Sequence, residues 1–163
     1  MSVMTRNMAE NPVAIQIATQ ADGLPDEADF VSWVDRVLEN QQQSGEIVIR
    51  LVDEAESAEL NETYRHKTGP TNILSFPFDA PVETGSRLLG DLVICAPVVK
   101  REAIDQGKWE KHHWAHIVIH GVLHLLGYDH LDNAEAEQME TLEINLLKTF
   151  NIQNPYHEDL IND

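Results

Sequence analysis

His120-Gly121-Val122-Leu123-His124-Leu125-Leu126-Gly127-Tyr128-Asp129-His130 places three histidines at H-x3-H-x5-H, with a glycine between the second and third. Residues four apart on a helix share a face with Cβ atoms about 6 Å apart, so His120 and His124 can turn toward one ion. Imidazole nitrogens bind zinc at about 2.0–2.1 Å. Gly127 suits a left-handed helix cap that reverses the chain, and three residues later His130 can return over the same face. Three protein ligands leave one tetrahedral position open, as in catalytic rather than structural zinc sites. Zinc peptidases with this spacing carry a glutamate base directly after the first histidine, where this chain has Gly121. The stretch predicts a helix ending at a glycine turn, and a metal hydrolase without the peptidase base.

His112 and His116 continue the same stripe. His116 and His124 are about 12 Å apart along a helix axis at 1.5 Å per residue, too far to share one ion. That spacing puts His116 outside the ligand set, with a supporting role the better use for it. His112 and His113 are predicted to face solvent near the helix start. His66 and His157 carry no companion pattern.

Outward from this helix, periodicity predicts the other elements. Val13–Ala18 reads as a strand. Asp26 precedes a helix on which Phe30, Trp33, Val34, Val37 and Leu38 recur at helical spacing. Glu46–Val52 is a second strand, and 54–66 a helix with Ala55, Ala58, Leu60 and Tyr64 facing inward. After the Gly69-Pro70 turn, 71–76 reads as a strand. Pro77 and Pro81 bracket its end, which suits an edge because proline donates nothing to a ladder. Leu88–Ala96 is more apolar and predicted central. Pro97 opens a helix to Gln106, a long helix spans 109–126, and Asn133 caps a last one through Phe150. No repeat or internal linker appears, so the expectation is one α+β domain over 12–155, a flexible start over 1–11 and a tail over 156–163.

Composition agrees with a globular protein: 163 residues, 42% apolar and 24% charged. No apolar run approaches the roughly 20 residues of a membrane span. The start, MSVMTRNMAENPVA, lacks the apolar core of a secretory signal, and the single Cys95 excludes an internal disulfide framework. A cytoplasmic location is expected. The net charge of -17 argues against a general nucleic-acid coat protein, yet most Lys and Arg lie mid-chain, which leaves room for a local basic cleft.

Several blocks stand in order: Leu60-Asn61 with Tyr64-Arg65, then Pro70-Thr71-Asn72-Ile73-Leu74-Ser75-Phe76-Pro77, then Leu89-Gly90-Asp91-Leu92-Val93-Ile94-Cys95, then the histidine block, with Met139 and Glu143 beyond it. Together they resemble the YbeY family of zinc-dependent bacterial endoribonucleases. The likeness covers roughly residues 45–150, and Asn72 stands where many relatives have aspartate. The resemblance implies a zincin-like domain: a mixed four-stranded sheet flanked by helices, with an antiparallel edge strand beside a metal cleft. It implies one Zn2+ per chain on His120, His124 and His130, and Arg65 as the essential cleft arginine. It further implies single-strand-specific cleavage in ribosomal RNA maturation, at the 3′ end of the small-subunit RNA, and ribosome quality control. The implied partners are ribosomal RNA and the small ribosomal subunit, with a small-subunit ribosomal protein or an assembly GTPase as candidates, and no membrane.

In that reading a zinc-bound water, its pKa lowered toward about 7, attacks an RNA phosphodiester. Arg65 stabilises the added negative charge. The duller reading of Arg65 is a surface salt bridge to Glu59 or Glu62. With no glutamate at 121, Asp129, Asp91 and Ser75 are the candidates to support the water. Asp129 suits equally well the task of holding a ligand histidine from behind. Asn72 and Ser75 are candidate substrate contacts on the edge strand, Tyr128 packs at the turn, Met139 fills core under the metal, and Glu143 is expected solvated. Arg65, Lys67, Arg87 and Lys100 are candidates to line a groove. No interleaving of aromatic and basic residues supports base stacking, so sequence preference should be low. A zinc peptidase, and a non-catalytic ribosome-assembly module with structural zinc, are the alternatives.

Overall fold

The computed structural model describes residues 13–78, 87–129 and 131–156. Its strands are β1 (Val13–Ala18), β2 (Glu46–Val52), β3 (Ile73–Pro77) and β4 (Leu88–Cys95). Its helices, among the described residues, are α1 (Glu27–Asn40), α2 (Glu54–Arg65), α3 (Ala96–Asp105), α4 (Glu110–Leu125) and α5 (Asn133–Lys148). The sheet order is β1-β2-β4-β3. β1, β2 and β4 run parallel, while β3 pairs antiparallel with β4 and forms an edge. The protein is thus α+β with a mixed four-stranded sheet. The expected flexible start over 1–11, Pro81, His130, and the tail from His157 onward lie outside the described residues.

Burial on both faces explains why β4 lacks an alternating pattern. Side chains leave a strand on alternate faces. Leu92 and Ile94 join Ile47, Ile49 and Leu51 under α1 and α4. Val93 and Cys95 meet Val52, Leu74 and Val98 on the other face, where Leu60 and Phe76 pack against them. In the larger layer, Phe30 sets its ring edge-to-face with Trp33 and Trp114, at centroid distances of 5.6 and 5.8 Å. Each large side chain buried this way contributes about 1.5–3 kcal/mol. Burial also pushes the Cys95 thiol pKa up, as suits an inert core residue.

Pro77 ends β3, where a missing N–H costs no central ladder bond. α4 stops in a Schellman turn, with Tyr128 N–H donating to the Leu123 carbonyl and Gly127 N–H to that of His124, both at 3.0 Å. Gly127 adopts φ +106° there, a conformation that a side chain would strain.

Two expectations need correction. α5 is capped by Asp132 rather than Asn133, its carboxylate accepting from Glu135 N–H at 2.8 Å. On α2 the buried positions are Ser57 and Asn61, while Ala55 and Tyr64 are exposed. The inward face of α2 is polar because it ties down the chain before β3. Ser57 Oγ exchanges hydrogen bonds with the backbone of Thr71 at 3.0 Å, and Asn61 Nδ2 donates to the Gly69 carbonyl at 2.8 Å. No helix among the described residues is long and apolar enough to cross a membrane.

Candidate metal centre and cleft

Gly121 sets how closely α4 approaches the sheet. A Cβ there would stand 2.5 Å from Ile73 Cδ1 and 2.9 Å from Leu92 Cδ2. The position after the first histidine therefore faces β3 and β4 at close packing, with no room for the glutamate of a zinc peptidase.

His120 and His124, one turn apart, meet with their Nε2 atoms 3.2 Å apart. Two nitrogens bound tetrahedrally to one ion at about 2.0–2.1 Å are separated by about 3.3–3.4 Å, so this pair fits a shared metal. His130, the third expected ligand, lies outside the described residues. Among those described, no group of three His, Cys, Asp or Glu gathers to hold an ion.

Behind the pair lies Glu143 of α5, 1% exposed rather than solvated as expected. Its Oε2 is 2.6 Å from His120 Nδ1, and its Oε1 is 2.8 Å from His116 Nε2 and 2.5 Å from the Tyr156 hydroxyl. An ionised carboxylate only accepts, so a His120 proton sits on Nδ1, and Nε2 is the nitrogen turned toward His124. This is how a carboxylate commonly orients a metal-binding imidazole. Burial alone would keep Glu143 protonated, but the hydrogen bonds from His116 and His120 outweigh it and hold its pKa well below the carboxylate range. Burial lowers the pKa of His116 despite the neighbouring carboxylate. A neutral His116 donates through Nε2, which matches an Nδ1 with no hydrogen-bond partner among the described residues. The Tyr156 hydroxyl is pushed upward by burial and by Glu143. Met139, one turn before Glu143, is buried as expected.

His113 also departs from expectation, because it is buried rather than solvent-facing. Its Nε2 lies 2.8 Å from Glu102 Oε1, and Asn72 Nδ2 donates to the same carboxylate at 3.2 Å. Burial opposes ionisation of Glu102, yet the bonds from His113 and Asn72 prevail and lower its pKa.

The histidine pair opens into a cleft of about 740 Å³ that straddles the β3 edge. Ile73 through Pro77, Asn72, Arg65, Tyr128 and Asp129 line it. Arg65 is the last residue of α2, and none of the ion pairs among the described residues involves it, so the duller reading of a salt bridge to Glu59 or Glu62 finds no support there. Lys67, Arg87 and Lys100 do not line the cleft, and Lys100 instead pairs with Asp22 at 3.4 Å. Ser75 Oγ donates to the Gly121 carbonyl at 3.5 Å, a long bond from the strand to α4. Asp129 is exposed at the cleft wall. Asp91 is exposed but outside the lining, on the β4 face shared with Val93 and Cys95 and away from α4. Tyr128 anchors the turn by donating its hydroxyl to Gln41 Oε1 at 2.8 Å.

Sequence reasoning missed Glu143 and Tyr156 as supports of the histidine pair. The available signals were the place of Glu143 among the family-like blocks and His116 on the His120 stripe, which calls for a polar partner once that face is buried.

Comparison with known proteins follows the same lines. A family-wide sequence model described as Endoribonuclease YbeY matches residues 15–151. The Endoribonuclease YbeY of Nitrosococcus oceani is 56% identical over 146 residues, covering 88% of this chain and 95% of that protein. The solution structure of a Thermotoga maritima protein superposes with a TM-score of 0.59 over 91% of this chain and 93% of the other. At 23% identity, that likeness speaks to the fold alone. With a family match spanning most of its length and a relative this similar, the chain belongs to the YbeY endoribonuclease family.

Proposed function

We propose that this chain is a zinc-dependent endoribonuclease that cuts single-stranded RNA during ribosomal RNA maturation, with residues 12–155 acting as one zincin-like catalytic domain. The observation that carries this reading is the 3.2 Å pair of His120 and His124 nitrogens opening into the cleft that Arg65 lines. His120, His124 and His130 would hold one zinc ion. Bound there, zinc supplies Lewis acidity toward a phosphoryl oxygen and makes water a stronger nucleophile at neutral pH.

The chain's own residues do the rest. Glu143 fixes the His120 tautomer and ring. Arg65, its guanidinium unclaimed by any ion pair among the described residues, grips the phosphodiester and offsets the charge that builds as the phosphorus is attacked. Ser75 ties β3 to α4 and keeps the cleft edge in place. Asp129, which lines the cleft wall, would take a proton from the attacking group or steady His130. Asp91 does not line the cleft, which makes Asp129 the better candidate for that transfer.

A peptidase reading lacks its base, because residue 121 is a glycine, and that position is packed against Ile73 and Leu92. The remaining finer readings belong to the same proposal. They are cleavage near the 3′ end of the small-subunit RNA, a part in ribosome quality control, association with a small-subunit ribosomal protein or assembly GTPase, and a bacterial cytoplasmic setting.

The test is cleavage of a ribosomal RNA fragment with a single-stranded end, with and without chelator, beside casein as a peptidase control. Cleavage should stop with chelator and return with zinc, while casein stays intact. Arg65→Ala should cut about 10²–10³-fold more slowly with its zinc content unchanged. Cleavage indifferent to chelator would overturn the metal reading, and an unimpaired Arg65→Ala enzyme would remove Arg65 from the mechanism.

A further inference from the structure

Tyr64 is 62% exposed on the last turn of α2, immediately before Arg65. Its ring meets Phe76 of β3 edge-on, with centroids 5.2 Å apart and planes 74° apart. Phe76 in turn packs against the buried cluster of Leu74, Val93 and Cys95, so its ring has a firm base. Both aromatics line the same cleft as Arg65, His120 and His124. An edge-on pair cannot use up both rings' faces, and the exposure of Tyr64 leaves an aromatic surface open to the cleft.

We propose that Tyr64, braced by Phe76, is the stacking platform for one unpaired nucleobase of the RNA next to the scissile phosphate. The proposal rests on the endoribonuclease reading above and names the part of the substrate held at this flank. Successive helix positions diverge by about 100°, so Tyr64 and Arg65 address different parts of one nucleotide, the base and the backbone. A base within a duplex has both faces covered by its neighbours and cannot use the platform. Every base has a π-face, so the platform selects unpaired RNA without reading sequence. A scan for alternating aromatic and basic residues misses it, because Tyr64 and Phe76 come from a helix and a strand that meet only in the fold.

The experiment measures KM and kcat of the zinc-loaded protein on short single-stranded oligoribonucleotides, one intact and the others each carrying an abasic site at one position. Tyr64→Ala should raise KM on the intact RNA by about 5- to 150-fold with a smaller change in kcat, and Tyr64→Trp should retain the wild-type value. For wild type, one abasic position should raise KM comparably, and at that position Tyr64→Ala should add nothing further. An unchanged KM in Tyr64→Ala, or a defect equal on every abasic RNA, overturns the platform while the nuclease reading stands. If wild type cleaves none of the RNAs, the nuclease reading falls and takes the platform with it. Because Tyr64 is exposed, unaltered thermal unfolding and zinc content should accompany the effect.

Discussion

Replacing Glu143 with Leu tests whether a buried carboxylate builds the metal centre. The side chain accepts from three donors: His116 Nε2–H, His120 Nδ1–H and the Tyr156 hydroxyl. Leu fills similar space, so the loss should be chiefly of acceptors rather than packing. His116 and Tyr156 lie 3.3 Å apart and can still pair, and His120, 26% exposed, can turn partly to water. At about 1–3 kcal/mol per unsatisfied buried donor, the expected loss is about 2–4 kcal/mol of unfolding free energy. Freed from its carboxylate, His120 should bind zinc about 10- to 100-fold more weakly, or about 1.4–2.7 kcal/mol. Glu143→Gln should cost less than half as much. Its one carbonyl can keep His120, and His116 can move its proton to the unpartnered Nδ1 and accept from the amide. Urea unfolding of the metal-free protein gives the first quantity, and zinc competition against a chromophoric chelator the second. A Leu variant within about 0.5 kcal/mol of wild type by the same unfolding comparison, with zinc affinity within about threefold, would refute the reasoning.

Two further predictions concern packing and pH. Gly121→Glu should cost at least the ~1–3 kcal/mol typical of overpacking, since its Cβ meets Ile73 and Leu92, and it should yield no casein cleavage. A stable variant that cuts casein would contradict the placement of that position against the sheet. The lowered pKa of Glu102 means that its ionised form adds stability above the ordinary carboxylate pKa of about 4.3, and that this is lost as pH falls through the depressed value. Glu102→Gln should therefore be less stable at neutral pH and lose less on acidification. Urea midpoints from about pH 7 down to about pH 3 would show parallel curves for the two proteins if the pairing with His113 and Asn72 contributed nothing.

What could be read in advance followed from local periodicity. The elements around β4 and α4 were legible because a strand buried on both faces is continuously apolar and a helix ending at glycine has its own signature. Tyr64 was misplaced because an aromatic at helical spacing usually points inward. On α2 that face instead carries Ser57 and Asn61, bound to the backbone of Thr71 and Gly69. His113 was misplaced for the converse reason: a histidine near a helix start reads as solvated until Glu102, from another helix, covers it.

The sequence by itself determined which atoms are the candidates to bind metal and which base is missing, since the i, i+4 spacing of His120 and His124 and the glycine at 121 are local facts. It also carried enough of the family's blocks to place the chain. Only the tertiary structure decided that Gly121 is pressed on the sheet, that Glu143 from 23 residues beyond His120 fixes that imidazole, and that Tyr64 stands open beside Arg65. Those outcomes depend on which surfaces of α2, α4 and α5 are excluded from water. Burial turns an ordinary glutamate into an obligatory acceptor, and the lack of it leaves an aromatic ring free to meet a ligand.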